Sequence, residues 1–557
     1  MNSTAVPPPT MARAPQVLIV GAGPVGLTLA CDLAWRGVPL RIIDSNPKSS
    51  QHSKAIGVFP RTLELLENHE VAEEMVRSGV RVEALNIHDG HRRLAHIDTR
   101  RIASHYNFIL TLEQSETERL LLRRLKVLGV QVERCVRLIS LEGHPDHVHA
   151  TLDREGAERE SLSVPWVVGC DGAHSFVRDS QHISFHGERY SEAFDLADVH
   201  LSAVPEESKN SIFVFLSTQG VVFAAPLASG QHRLIVDEPP GSADERRGTP
   251  SLDEFRAWWR KRVSYPSFKH AHLTDDTWRK RFTIQRRMVK RLRQGRVLLA
   301  GDAAHVHSPA GAQGMNGGIQ DALNLAWKLA LVVQERAPES LLDTYGQERL
   351  PVARRVLTFT HLLTHGLTQR NPVVWAVRGW VMSLVINRAI VQRTVVNVAA
   401  GLRTNYRTSP IVRSQRVLKA GHSSTLTGGD RAPDVLLTGG KRLYDVLRHP
   451  SHTLLVFTGT RSGEQAMQGA VNLVERISAR YGELVRVQVV VTHRGLPFAP
   501  RGALVDVDGI VHASYGLRDS GVCLIRPDRY VALCAPAFGE AGITEVLEQV
   551  LLTGRKR

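Results

Sequence analysis

The stretch Gln16–Asn46, QVLIVGAGPVGLTLACDLAWRGVPLRIIDSN, changes its periodicity twice. A short apolar run, Val17 to Val20, reaches Gly21, Gly23 and Gly26 in the spacing G-x-G-x-x-G. Pro24 opens an apolar-periodic segment that runs to Trp35, and a second apolar run, Leu40 to Ile43, ends on Asp44. This reads as strand, tight turn, helix, strand. The glycines permit the turn and let a pyrophosphate approach the helix start, where unpaired N–H groups and the positive dipole end attract anions. Asp44 falls where a carboxylate accepts hydrogen bonds from adenosine ribose hydroxyls. Glycine-rich turns also arise from packing alone, but the two flanking strands and the acid together specify a dinucleotide site. The motif does not say which dinucleotide.

With 557 residues the chain exceeds the usual single-domain range, so two or three domains are expected. A hydrophobic content of 43% with 22% charged residues is that of a soluble globular protein. Five cysteines, Cys31, Cys135, Cys170, Cys523 and Cys534, form no CxxC pair. Reduced thiols in the cytoplasm are expected, with neither a disulfide framework nor a zinc site. The opening MNSTAVPPPTMARAP reads as a disordered tail rather than a signal peptide. The most membrane-like stretch, PVVWAVRGWVMSLVINRAIVQRTVVNVAAGL, is interrupted by Arg378, Arg388 and Arg393, which predicts long amphipathic helices and no membrane partner. The net charge of +15 is spread along the chain without a basic run, pointing away from nucleic acid and toward small anionic ligands.

Two later stretches choose the dinucleotide. VPWVVGCDGAHSFVR sets an apolar strand before Asp171-Gly172 and Arg178, and GRVLLAGDAAHVHSPAGAQGMN sets another before Gly301-Asp302. A nicotinamide dehydrogenase has no need of an acid so far from its fingerprint, whereas the ribityl hydroxyls of FAD need a partner beyond the pyrophosphate. From about Gln16 to about Glu348 the chain resembles the class A flavoprotein monooxygenases, the family of para-hydroxybenzoate and phenol hydroxylases, with members acting on hydroxyphenylpropionates and polyketides.

The resemblance implies noncovalent FAD held by Gly21, Gly23, Pro24, Gly26 and Asp44, with Gly301-Asp302 at the ribityl chain. It sets Pro309 near the ring and the N–H groups of Gly314, Met315 and Asn316 at its pyrimidine edge, at the start of a helix near Asn316. Gln114, four residues before Glu118, lies close to the flavin in relatives. Lys54 stands where an arginine is usual and lacks the bidentate fork. Gly311-Ala312-Gln313 replaces the common Gly-Gly-Gln, a change made costly only by a positive φ at Ala312. Asp171 either touches the cofactor or caps a turn, and Arg178 is expected to pack or pair. His305 and His307 lack a third metal ligand, so no metal is expected.

A second G-x-G-x-x-G is absent from the sequence. NADPH or NADH would therefore visit transiently, and the implied activity is hydroxylation of a small phenolic or aromatic substrate by O2 through a flavin C4a-hydroperoxide. The alternatives are epoxidation or Baeyer–Villiger oxidation of a polyketide or antibiotic by the same chemistry, or a flavin-binding sensor or scaffold without turnover. The catalytic residues are not identified beyond the flavin-proximal Pro309 and Gln114; a base would come from the middle sheet, where Tyr190, His200, His232 and Arg233 are candidates. The expected fold is α/β: a tail (1–15), a Rossmann-like FAD-binding domain (16–182 and 283–370) with an inserted β-sheet substrate domain (183–282), whose stretch NSIFVFLSTQGVVFAAPLASGQHRLIVDE reads as three apolar strands punctuated by Gly220 and Gly230, a helical connector (371–424) and a thioredoxin-like C-terminal domain without CxxC (425–557). The last would serve a structural role or dimerisation, so a homodimer is one expectation.

Overall fold

The run Val17–Val20 is buried on both faces because it is a central strand, with parallel neighbours Leu40–Asp44 on one side and Trp166–Gly169 on the other. A strand covered on both faces reads as unbroken apolar sequence, as VLIV, WVVG and VLL all do. The computed structural model describes residues 14–50, 55–154, 156–238, 248–308, 311–368, 379, 382–413, 417–418, 425–437, 439–460, 464–492 and 502–552. The full sheet runs Arg293–Gln294, Val297–Leu299, Trp166–Gly169, Val17–Val20, Leu40–Asp44, Val132–Arg134; every pairing is parallel except that of the first two strands. Chain order and sheet order differ, so segments far apart in sequence end side by side.

The chain divides into two units. One holds Met1–Ala34, Pro39–Ala322 and Leu350–Leu402, and the other Trp35–Val38, Leu323–Arg349 and Arg403–Arg557. Besides the parallel sheet, the first contains an eight-stranded sheet in the order His305–Val306, His272–Val289, Phe185–Ser202, His232–Asp237, Gly220–Pro226, Ser211–Ser217, Ala84–Asp89, Arg92–Asp98. Its centre is the strand-rich segment read from sequence, turning at Gly220 and Gly230, both with positive φ. Its two edges come from outside residues 183–282. Phe213, Phe215, Leu234 and Val236 pack beneath the helix Leu252–Arg262 against Phe255 and Trp259. Alternation along the strands puts Ile212, Phe223, Ala225, Arg233 and Ile235 on the opposite face. Within 371–402, the described helical pieces are Met382–Ile386 and Ala389–Ala399. No helix among the described residues is long and apolar enough to cross a membrane.

The second unit has a five-stranded sheet, Leu504–Val505, Val485–Val491, His452–Phe457, Gly521–Ile525, Val531–Pro536, parallel in its first two pairings and antiparallel in its last two. Cys523 and Cys534 face each other across the last pairing as buried free thiols. This unit also buries a group of charges. The Glu348 carboxylate accepts from Arg526 (2.6 and 2.8 Å), Lys328 (2.8 Å), Asn324 (2.7 Å) and Ser409 (2.6 Å). Arg526 also pairs with Asp528 at 2.6 Å. Burial pushes the Glu348 carboxyl up, but Arg526 and Lys328 outweigh it and hold the group well below the usual carboxylate range.

Removing one member of a buried network leaves the others uncompensated, which costs about 3–5 kcal/mol. Glu348→Gln should lower the stability of the second unit by about that amount at neutral pH in urea unfolding. Because the folded-state pKa of Glu348 is depressed, its contribution is present above the ordinary value of 4.5 and is lost as pH falls below it. The variant should therefore also show a shallower loss of stability in acid; a wild-type acid limb in Glu348→Gln would refute the assignment.

Candidate functional site

Four turns leave the carboxyl ends of adjacent parallel strands, the crevice where ligands of such sheets bind. Gly21 follows Val20 and donates its N–H to Ile43 O (2.9 Å), Cys170 donates to Val20 O (2.8 Å) and Ala300 to Gly169 O (3.0 Å). Gly21 has φ +101° and its α-carbon is backed directly by the Cys170 carbonyl, so no side chain fits. Gly26 is equally closed, against Gly21 O. Gly23 is the opposite case: a Cβ there would meet no atom within 4 Å. The free space lies at the start of the helix Pro24–Trp35, where a pyrophosphate would use it. Asp44 at the end of its strand accepts from Ala22 N (2.8 Å) and Asn46 N (2.8 Å), which fixes its carboxylate and leaves lone pairs for a ribose.

Across the crevice, Gly301 has φ +63° and a Cβ on it would lie 2.8 Å from Val25 Cγ2; one on Gly318 would lie 2.5 Å from the same methyl. Gly301 N donates to Asp321 Oδ2 (3.2 Å), and His305 Nε2 lies 2.7 Å from that oxygen. His305 is thus bound to a carboxylate from the following helix, and no three His, Cys, Asp or Glu side chains gather as a metal set among the described residues. His307 contacts Ser308 O through Nδ1 (2.9 Å). Asp302, adjacent to Gly301, is exposed and has no hydrogen-bond partner among the described residues.

The helix after this turn is Gln313–Val333, starting three residues before Asn316, so Gly314, Met315 and Asn316 fall within its first turn. The first N–H groups of a helix lack internal partners, so this end presents donors to the crevice. Asn316 is 1% exposed; its Oδ1 accepts from Phe59 N (2.9 Å) and its Nδ2 donates to Gly57 O (2.9 Å) and Ala312 O (2.9 Å). Its side chain is therefore a staple between the helix start and residues 57–59. Ala312 does adopt a positive φ, +51°, at a cost of about 1 kcal/mol for a residue with a Cβ. Its methyl presses on Gly57, where a Cβ would come within 2.9 Å. Gln114 N donates to Ala55 O (3.0 Å) and its side chain to Glu118 Oε1 (2.9 Å), which brings Gln114 to the same segment. Lys54 and Pro309 lie outside the described residues.

Asp171 accepts from Ser175 Oγ (2.6 Å) and Val177 N (3.0 Å), bonds that organise the start of the short helix Phe176–Ser180. Burial pushes its carboxyl up, opposed by those two bonds. Arg178 donates to Ala173 O (3.0 Å) and Ala303 O (3.4 Å), tying this loop to the Gly301 turn. Of the middle-sheet candidates, His200 pairs with Asp275 (2.7 Å) at the surface, and His232 is buried on the face toward the helix Leu252–Arg262. Arg233 lies on the opposite face, and the Tyr190 side chain is outside the description. Sequence reasoning missed Asp321 and the staple role of Asn316. The available signal was a polar residue on an otherwise apolar helix face, which names no partner.

A family model described as FAD binding domain matches residues 14–360, and one described as aromatic-ring hydroxylase, C-terminal, matches residues 425–553. The chain is 35% identical to 6-methylpretetramide 4-monooxygenase of Streptomyces rimosus over 98% of its own length and 95% of the relative's. It is 34% identical to pentachlorophenol 4-monooxygenase of Sphingobium chlorophenolicum over 92% and 93% of the two chains. The crystal structure of aklavinone-11 hydroxylase with FAD and aklavinone matches with a TM-score of 0.74 at 25% identity, covering 97% of this chain and 99% of the other. With its crevice of glycine turns and donors matched by the FAD-binding model, and with relatives of this kind along nearly all its length, the chain belongs to the FAD-dependent monooxygenases that oxygenate aromatic and polyketide substrates.

Proposed function

We propose that this enzyme uses NADPH or NADH, admitted transiently, and O2 to hydroxylate a phenolic ring, most naturally one in a fused-ring polyketide. The observation that carries the reading is the open space at Gly23, at the start of the helix whose Val25 packs on Gly301 and Gly318, together with the exposed Asp302 that follows Gly301 and the helix start at Gln313. When bound noncovalently, FAD would carry electrons from the nicotinamide to O2, which is the source of the oxygen atom that is transferred.

The protein's own groups bind, orient and shield. Gly21, Gly23, Pro24 and Gly26 would line the pyrophosphate, Asp44 the ribose, and Gly301 with Asp302 the ribityl chain. The N–H groups of Gly314, Met315 and Asn316 would favour negative charge at the pyrimidine edge. Gln114, Lys54 and Pro309 would complete the ring's surroundings, while Asp171 acts through the loop it organises. For the C-terminal unit we infer a thioredoxin-like fold without CxxC, with a structural or dimerising role; the order and directions of the strands Val485–Val491, His452–Phe457, Gly521–Ile525 and Val531–Pro536 support it.

The purified protein should be yellow and release free FAD on denaturation; flavin retained by the chain, or release of FMN, would contradict this. Asp302→Ala, losing hydrogen bonds to ribityl hydroxyls, should weaken FAD binding about tenfold in fluorescence titration, with melting of the apoprotein unchanged. Unchanged affinity and turnover would remove Asp302 from the site. NADPH oxidation should accelerate on adding polycyclic phenols and give products one oxygen atom heavier by mass spectrometry. A rate indifferent to every acceptor, with no oxygenated product, would sink the hydroxylase reading.

A further inference from the structure

Arg233 is 1% exposed and makes a two-pronged pair with Asp198, Nε to Oδ1 at 2.7 Å and NH2 to Oδ2 at 2.6 Å. Its third nitrogen, NH1, is buried and has no hydrogen-bond partner. A buried charged donor left unmade is costly, and a neutral core residue would avoid the cost. The guanidinium lies 5.4 Å from the ring centre of Trp278, so its plane is held from one side by the indole and along one edge by the carboxylate. Only the NH1 end is uncommitted.

The strand register says where that end belongs. Arg233 is directly opposite Ala225 on one neighbouring strand and Asp198 on the other, on the face turned away from the helix Leu252–Arg262. On this face Ala225 packs with Ile56, and the next residue, Gly57, meets Ala312 and the Asn316 staple. The face therefore borders the segment that carries the proposed flavin-ring site. Around Arg233 it is largely apolar and only partly covered: Phe223, Ile235, Trp278 and Phe282 are all half-buried, Phe282 stacks on Phe194 with ring centres 6.1 Å apart, and the exposed Lys280 stands between Trp278 and Phe282.

Resting on the reading of the protein as a phenol hydroxylase, we propose that Arg233 is the specificity-determining contact of the substrate: its NH1 donates to a ring oxygen, a phenolate or an enolised carbonyl, while the hydrocarbon of a fused aromatic lies against Phe223 and Ile235. Asp198 and Trp278 are positioning residues that aim the fork. A fixed cation beside a phenol favours its ionised form, the form in which the ring is most open to an electrophilic oxygen.

The test uses the FAD-loaded enzyme and two ligands of equal ring count, 2-naphthol and naphthalene, with binding read from the visible spectrum of the bound flavin. The wild type should prefer 2-naphthol at least tenfold. Arg233→Lys keeps a cation for Asp198, but its single nitrogen cannot pair with that carboxylate and also stand where NH1 does, so the preference should fall about tenfold while naphthalene affinity and FAD content stay unchanged. Should that variant fail to fold, Asp198→Asn/Arg233→Gln removes both charges together and carries the same expectation. A variant that keeps the wild-type preference, or a wild type that binds both ligands equally or neither, overturns the proposal. Binding is read without turnover: an oxygen preference that depends on Arg233 without NADPH-driven oxygenation would support the contact and count against the hydroxylase reading alone.

Discussion

Val25 is the point on which the dinucleotide half of the molecule turns. Its side chain, on the helix of the first glycine fingerprint, occupies the space that Cβ atoms on both Gly301 and Gly318 would need. The helix Pro24–Trp35 and the helix Gln313–Val333 can therefore direct their N-terminal ends into one crevice only because two residues hundreds of positions away carry no side chain. A methyl at either glycine would force the helices apart by a large part of an ångström or more, and packed interiors absorb such shifts poorly. The Gly301–Asp321–His305 bonds and the Arg178 bridge hold the turn in the conformation this contact requires.

Local chemistry was legible and long-range partnership was not. The glycine turn, the strands ending at Asp44, Asp171 and Asp302, and the turns at Gly220 and Gly230 each follow from a few neighbouring residues with a special backbone or periodicity requirement. The edges of the eight-stranded sheet depend on Ala84–Asp89 pairing in parallel with Ser211–Ser217, a choice no short window contains. The same holds for Asp321, which looks like any polar residue on a helix until His305 arrives beside it. Ala312 is a middle case. Its departure from a glycine pattern was visible, but its positive φ emerges only when Asn316 closes on Gly57.

Polar groups in the two units divide into finished and unfinished sets. Glu348, Arg526, Lys328 and Asp528 satisfy one another, and Arg41 is shared by Glu133 (2.7 Å) and Glu160 (2.5 Å); such closed sets hold a fold together. Asp302 and the first turn of the helix at Gln313 are left open, next to space or solvent. These two lie along the crevice of the parallel sheet, and the NH1 of Arg233, also open, lies on one face of the eight-stranded sheet.

The central position of Val17–Val20 also bears on how the protein is made. This strand leaves the ribosome before its sheet partners, yet one neighbour is Trp166–Gly169 and the next strand outward is Val297–Leu299. The nascent chain must therefore keep one edge of this apolar strand unpaired until Trp166–Gly169 is translated, and then the outer edge of that strand until Val297–Leu299 follows. Late closure of such distant pairings makes folding slow and leaves an exposed strand edge. Expression at lower temperature or with added chaperone capacity would be expected to raise the soluble yield through this step, with no change in the stability of the finished protein.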